Sequence, residues 1–90
     1  MNFEVDFTER ALKDIKRHIK SGNKRLLDKL DQLLDELEYH PETGTGKPEK
    51  LKHISGYWSR RINKKHRLVY TIDGKKIVVT VISAYGHYED

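Results

Sequence analysis

Residues 26–37, with the sequence LLDKLDQLLDEL, decide the fold of this 90-residue chain. Leucine recurs there every three or four residues, which is the period of an α-helix with one buried face. The six leucines are Leu26, Leu27, Leu30, Leu33, Leu34 and Leu37. Two heptads are too short for a coiled coil, so the helix is expected to pack against a sheet and to end near His40.

A first helix is predicted just before this one. Thr8 offers an N-cap hydroxyl, and Gly22 suits a left-handed C-cap position. The apolar stripe between them consists of Ala11, Leu12, Ile15 and Ile19. His18 is interpreted as a boundary residue of that stripe rather than a ligand. The short break at residues 21–23 predicts an antiparallel helical hairpin.

Strand patterns flank the hairpin on both sides. Residues 1–7 alternate, with Phe3, Val5 and Phe7 expected on the buried face. Three further strands are predicted at residues 57–62, 66–72 and 77–82. Trp58 and Ile62 share one face of the first of these, and Asp73-Gly74 predicts a type I′ hairpin turn. The expected architecture is one α+β domain over residues 1–90, ordered β-α-α-β-β-β, with the helical hairpin on one face of an antiparallel sheet.

Composition excludes several classes of protein. The chain has no cysteine, so it has neither a disulfide framework nor a thiolate metal site. No apolar run approaches the ~20 residues of a membrane span. The first residues, MNFEVDF, lack the order of charges and apolar residues found in a signal peptide. A cytoplasmic protein without a membrane role is expected.

The charge of the chain is concentrated in its second half. Residues 1–42 carry eight basic and ten acidic side chains, whereas residues 43–90 carry ten basic and four acidic ones. Within residues 46–67, a single acid, Glu49, stands among eight basic residues. They are Lys47, Lys50, Lys52, Arg60, Arg61, Lys64, Lys65 and Arg67. Such a field favours a polyanionic partner.

The lone carboxylate in this field admits a catalytic interpretation. RNA carries its own nucleophile, the 2′-hydroxyl, so a ribonuclease without metal or cofactor needs only a base, a cation and an acid. Glu49, an arginine and the C-terminal His87 can supply these three roles. The alternative is that Glu49 only offsets lysine repulsion in a non-catalytic RNA- or ribosome-binding module. These residues alone leave both interpretations open.

Four sequence stretches resemble one family in particular. GTGKPEKLKH, SGYWSRRI, KHRLVY and the closing SAYGHY are similar to the YoeB/Txe toxins of the RelE/ParE superfamily. The resemblance spans residues 1–88 and is densest from residue 44 to residue 70. It implies the compact microbial-ribonuclease-like fold and the activity of a metal-independent mRNA endoribonuclease that acts in the ribosomal A site. Two acids, Glu89 and Asp90, follow the tyrosine at which such chains usually end.

The resemblance also implies roles for individual residues. Glu49 would be the general base, Arg67 the group that stabilises the transition-state phosphate, and His87 the general acid. The residues expected to contact RNA are Lys47, Lys52, Arg61 and Tyr88. Arg60 and Lys50 are weaker candidates, and Trp58 is expected in the core.

The implied partners follow from the same family. They are mRNA and the ribosome, a cognate YefM/Axe-like antitoxin with an acidic C-terminal segment, and a second copy of the chain in a homodimer. A gyrase-directed toxin of the ParE kind is the remaining alternative, although such relatives lack the Glu/Arg/His set present here.

Overall fold

The computed structural model describes residues 2–86. Its elements in chain order are β1 (Glu4–Phe7), α1 (Glu9–Ser21), α2 (Lys24–Tyr39), β2 (Glu49–Lys50), β3 (Tyr57–Arg61), β4 (Arg67–Asp73) and β5 (Val78–Ser83). The strands form one five-stranded sheet in the order β1-β5-β4-β3-β2. Leucines of α2 and apolar side chains of β4 and β5 share one core, which confirms the predicted α+β class with helices on one face.

The leucine-rich helix forms as predicted. Leu26, Leu30, Leu33 and Leu37 are buried, and Leu27 and Leu34 pack at the edge of the same core. Between the helices, Gly22 adopts the left-handed conformation at φ 69° and its N–H donates to the Ile19 carbonyl. This geometry is the predicted C-cap, and α2 begins two residues later at Lys24. Within residues 2–86, neither helix has the length and apolarity needed to cross a membrane.

We expect Leu33→Ala to lower the free energy of unfolding by about 2–5 kcal/mol, because truncating a fully buried leucine leaves a cavity. Leu12→Ala removes the same atoms from a helical side chain that is 50% exposed, and should cost less than about 1 kcal/mol. Urea denaturation of both variants measures the difference. Equal losses would contradict the assignment of Leu33 to the core.

The prediction of a purely antiparallel sheet is wrong. β1 pairs in parallel with β5, from Glu4 opposite Val78 to Phe7 opposite Val81. Alternation identifies a strand but not its direction, which here depends on the route of the chain through both helices. A short strand, β2, was also not predicted, and it extends the order to β-α-α-β-β-β-β. Two residues are too few to give a periodic signal.

The predicted type I′ turn at Asp73-Gly74 is also wrong. Asp73 is the last residue of β4 and pairs with Val78, so four residues, 74–77, form the connection. The Asp73 carboxylate accepts hydrogen bonds from the amides of Lys75 and Lys76 at 3.0 and 3.1 Å. The left-handed residue of the connection is Ile77, at φ 57°. Aspartate thus shapes the turn through its side chain rather than as a central residue.

The buried face of α1 differs from the apolar stripe. Ala11 is buried as predicted, but Leu12 and Ile19 are 50% and 58% exposed. Asp14 and His18 are 7% and 2% exposed, so the interpretation of His18 as a boundary residue is wrong. The sequence stripe is rotated from the buried face because these two polar side chains have partners inside, described below. Phe7, expected to be inward, is 36% exposed on the edge strand β1.

Candidate active site

A tight turn brings Glu49 to the sheet. The Gly46 carbonyl accepts a hydrogen bond from the Arg61 amide at 2.7 Å, and Gly46 itself has φ 84°. A Cβ there would lie 2.8 Å from the Arg61 carbonyl oxygen, so only glycine fits without a shift. Lys47 follows in the left-handed region at φ 51°. The chain then enters β2, where Glu49 pairs directly with Ser59 of β3.

Arg67 joins Glu49 to Ser59. Its Nη1 donates to the Glu49 Oε1 at 3.2 Å and to the Ser59 Oγ at 3.0 Å. Ser59 is fully buried, and the Arg67 side chain is only 20% exposed, so the guanidinium is held from the inside. The Glu49 side chain is 57% exposed. The arrangement offers a fixed cation next to a carboxylate that a ligand can reach.

These side chains lie on the sheet face opposite the helices. Residues directly opposite in an antiparallel pair point to the same face, and Glu49 faces Ser59 just as Arg61 faces Arg67. Neighbouring strand positions alternate, so Arg60, Leu68 and other residues of that parity point to the helices. Two arginines opposite each other repel unless an anion lies between them. The open face is therefore suited to bind phosphate.

The structure brings some of the predicted RNA-binding residues together and separates others. Lys47 and Arg61 are exposed beside the Glu49–Arg67 pair, connected through the Gly46–Arg61 hydrogen bond. Lys52 is exposed beyond β2, where it lines a cleft together with Trp58. Lys50 faces the helix side, with its ammonium 5.7 Å from the centre of the Trp58 ring. Trp58 packs at the border of the core, as predicted.

His87 and Tyr88 lie outside the described residues. The last described residue, Gly86, is bound to the start of β4 through its carbonyl, which accepts from the Arg67 amide at 2.9 Å. Gly86 immediately precedes His87 in the sequence. Among residues 2–86, no group of three or more His, Cys, Asp or Glu side chains could hold a metal ion.

The weaker prediction that Arg60 contacts RNA is wrong, because Arg60 is 0% exposed. Its guanidinium instead holds the loop between α2 and β2. Nη2 donates to the carbonyls of His40 and Thr43 at 2.6 and 2.7 Å, and Nη1 donates to Glu36 at 2.9 Å and to the Thr45 carbonyl at 3.3 Å. The loop that ends at the Gly46 turn is therefore organised by a buried arginine. Strand parity was the available signal, since Arg60 lies two residues from both Trp58 and Ile62 and therefore shares their inward face.

Two ionisable groups around Arg60 are shifted. Burial alone would raise the pKa of Glu36, but hydrogen bonds from Thr45 and the Arg60 charge outweigh it and lower that pKa below its usual value. Burial raises the pKa of Tyr70, and Arg60 offsets only part of this rise. The Tyr70 hydroxyl receives a hydrogen bond from the Arg60 Nε at 3.1 Å and donates to the Pro41 carbonyl at 2.6 Å. The folded protein thus favours an ionised Glu36 and a neutral Tyr70.

The Glu36 shift predicts acid sensitivity. A carboxyl with a lowered pKa in the folded state stabilises the protein above its unfolded pKa of about 4.5, and this contribution is lost as the pH falls through the folded value. We expect Glu36→Gln to be less stable than wild type at pH ~7, with the difference shrinking towards pH ~3. Urea denaturation across this range measures it. Glu38→Gln, at an exposed position in the same helix, is the control. A difference in the free energy of unfolding between Glu36→Gln and wild type that stays constant with pH would contradict the prediction.

Comparison with known proteins covers almost the whole chain. Residues 7–88 match the model of a family described as the YoeB-like toxin of bacterial type II toxin-antitoxin systems. Toxin YoeB of Synechocystis sp. is 41% identical over 87 residues, which cover 96% of this chain and 98% of that protein.

Solved structures agree with the sequence relatives. A YoeB/ParE toxin from Agrobacterium tumefaciens superposes with a TM-score of 0.84 at 33% identity, covering 96% of this chain and 100% of that one. YoeB from Staphylococcus aureus has been solved as a dimer, with a TM-score of 0.80 at 36% identity. It has also been solved as a YoeB–YefM complex, with a TM-score of 0.77 at 38% identity. Both matches cover 98% of this chain and 100% of the other. The resemblance found in the sequence is thereby confirmed, and the chain belongs to the YoeB-like toxins of bacterial type II toxin–antitoxin systems.

Proposed function

We propose that this toxin is a metal-independent endoribonuclease that cleaves mRNA on the ribosome. The observation that carries the proposal is the reachable Glu49 carboxylate next to the fixed Arg67 guanidinium, on a face that also presents Arg61. A carboxylate beside a cation supplies a base for the 2′-hydroxyl and a charge for the attacked phosphate. His87, at the end of the chain, completes the set as the acid.

The reaction is an in-line transesterification. Glu49 removes the proton of the 2′-hydroxyl, and the resulting oxygen attacks the adjacent phosphorus. Arg67 stabilises the additional negative charge on the phosphorane oxygens. His87 donates a proton to the 5′-oxygen as its bond to phosphorus breaks. The products are a 2′,3′-cyclic phosphate, which can open to a 3′-phosphate, and a 5′-hydroxyl.

Arg67 can serve two partners in this reaction. A guanidinium has five N–H donors, and Nη1 alone contacts both Glu49 and Ser59. No residue from 2 to 86 accepts a hydrogen bond from the other nitrogens of this guanidinium, whose donors can bind a phosphate. The contact between Arg67 and Glu49 also places the carboxylate next to that phosphate. The 2′-hydroxyl that attacks the phosphate lies beside it, within reach of the carboxylate. One side chain thus sets the distance between base and substrate.

The open face supports dependence on the ribosome. In-line attack requires the 2′-oxygen, the phosphorus and the 5′-oxygen to be aligned, and such positioning is worth a large part of the barrier. A sheet face with exposed Lys47 and Arg61, together with Lys52 beyond β2, attracts RNA by charge without enclosing it. The decoding site would supply the alignment, and Tyr88 would stack on or orient a base.

The same face fits an inhibitor. A cognate antitoxin of the YefM/Axe kind would place an acidic C-terminal segment over Arg61 and Arg67, competing with the phosphates of mRNA. The YoeB–YefM complex of S. aureus supports this partner, and the S. aureus YoeB dimer supports a homodimer of this chain.

Cleavage products test the proposal. The purified toxin is given translated and untranslated mRNA, and the ends are mapped for wild type and for Glu49→Ala, which controls for contaminating nucleases. We expect 5′-hydroxyl ends in translated mRNA, none with Glu49→Ala, and none at a site carrying a single 2′-deoxynucleotide.

Two other outcomes would replace the proposal. Growth arrest that survives Glu49→Ala, with RNA binding that weakens steeply with salt, would indicate a non-catalytic RNA- or ribosome-binding protein. DNA-damage signalling without mRNA cleavage would indicate a gyrase-directed toxin.

A further inference from the structure

The segment that leads to His87 is held mainly by side chains, with one hydrogen bond from the backbone of β4. The ladder between β4 and β5 ends with Val69 opposite Ser83. Ala84 and Gly86 lie beyond it, and the amide and the carbonyl of each are hydrogen-bonded. Three of these four bonds are made by the side chains of Asp14, His18 and His66, which we call the tail anchor.

Two members of the tail anchor lie one turn apart on α1 and bind Ala84. The Asp14 Oδ2 accepts from the Ala84 amide at 2.9 Å. The His18 Nε2 lies 2.7 Å from the Ala84 carbonyl oxygen, so this nitrogen carries a proton and donates it. Ala84 is fully buried, and all three residues are inaccessible or nearly so. These contacts explain why α1 turns two polar side chains inward.

The third member of the tail anchor binds Gly86. The Gly86 amide donates to the His66 Nδ1 at 2.9 Å, so this nitrogen carries no proton. The next residue, Arg67, donates its amide to the Gly86 carbonyl at 2.9 Å. Gly86 is therefore bound by the residue whose guanidinium contacts Glu49 and by the residue before it.

Tyr85, between Ala84 and Gly86, packs against both histidines of the tail anchor. Its ring stacks on His18 with a centroid distance of 5.0 Å and lies 4.3 Å from the ring centroid of His66. The guanidinium carbon of Arg17 is 3.7 Å from the centre of the same ring. Buried polar side chains cost stability unless they are bonded, and an apolar residue would fill the α1 positions without that cost. Their use here indicates that the path of residues 84–86 must be fixed.

We propose that Asp14, His18 and His66 are positioning residues that set where His87 can donate its proton. This inference rests on the proposed function, in which His87 is the acid. Proton transfer needs a donor within about 3 Å of its target, and a misplacement of about 1 Å costs on the order of 10²-fold in rate. Because the proposal assigns the tail anchor to proton donation and not to phosphate binding, we expect its loss to lower kcat more than it raises KM.

Substitution of each histidine by asparagine and by glutamine tests the two ring nitrogens separately. The asparagine amide occupies about the position of the histidine Nδ1, and the glutamine amide about that of the Nε2. His66→Asn keeps an acceptor for Gly86 and His66→Gln does not, whereas His18→Gln keeps a donor for Ala84 and His18→Asn does not. We expect the matching variants to keep kcat within about threefold of wild type, and the mismatched ones to lose about 10- to 100-fold in kcat with a smaller change in KM. All four variants lose the aromatic ring, so equal effects of Asn and Gln at both positions would overturn the proposal.

The His87→Gln background separates positioning from general stability. There, His66→Gln should cause no further loss of kcat, because the group it positions is already absent. The same loss in both backgrounds would overturn the proposal. If the His18 variants unfold on heating below the assay temperature, the pair at His66, which is only partly buried, decides the question.

Hydrogen exchange of the Gly86 amide distinguishes failure of this inference from failure of the proposed function. His66→Gln should speed this exchange and His66→Asn should not. Faster exchange with unchanged kcat would overturn the positioning role while the ribonuclease assignment stands. Absence of cleavage by the wild-type toxin would instead overturn the proposed function.

Discussion

Glu49→Gln is expected to slow mRNA cleavage by about 10²–10⁴-fold, the usual effect of losing a general base. Glutamine has nearly the same shape, and its Oε1 can still accept the hydrogen bond that the Arg67 Nη1 now donates at 3.2 Å. The geometry of Arg67 and Ser59 should therefore persist, and only the ability to take a proton is removed. KM should change little.

The control for this variant is Glu42→Gln, which removes one negative charge from an exposed position on the loop before the active site. It should leave kcat unchanged, so that a general rise in positive charge is not mistaken for lost catalysis. The measurement is the single-turnover rate on programmed ribosomes. A Glu49→Gln rate within a few-fold of wild type would remove Glu49 from the role of base.

Part of this site could be predicted from the sequence. The charge count isolated Glu49 in a basic field, and the resemblance to the YoeB/Txe toxins assigned Arg67 to the same centre. The contact between them could not be predicted, because it depends on β2, a strand of two residues without periodicity. The Ser59 hydroxyl that fixes Arg67 was missed for a similar reason. A serine in a strand gives no signal until its neighbours across the sheet are known.

The two helices show where apolar periodicity predicts the buried face of a helix and where it does not. The leucines of α2 are both apolar and inward, so period and burial agree. In α1, Leu12 and Ile19 are apolar but exposed, whereas Asp14 and His18 are polar but buried. Polarity patterns assume that inward positions are apolar, and this assumption fails where a helix must bind the backbone of a distant segment. Here that segment is 66 residues or more away in sequence.

Arg60→Met is expected to lower the free energy of unfolding by about 3–5 kcal/mol, the range found when one partner of a buried ion pair is removed. Arg60 is fully buried and Glu36 is 15% exposed, so the Glu36 carboxylate would lose its cation in a largely desolvated position. The carbonyls of His40 and Thr43 would also each lose the short hydrogen bond, 2.6 and 2.7 Å, that the Arg60 Nη2 donates. Adding Glu36→Leu should recover only part of the loss, because the carbonyls still lack the hydrogen bonds that Arg60 donated.

The adjacent residue provides the matched control, since Arg61→Met removes the same side chain and charge from an exposed position on the opposite face of β3. We expect Arg61→Met to leave the midpoint of urea denaturation unchanged and to reduce the salt dependence of RNA binding by about one phosphate contact. Arg60→Met should lower the midpoint of urea denaturation and, at temperatures where the variant is folded, leave the salt dependence of RNA binding unchanged. The two neighbouring arginines would then have different roles because they point to opposite faces of β3. Arg60 would stabilise the loop before β2, and Arg61 would bind RNA. Similar stability losses for both variants would show that parity does not assign these roles.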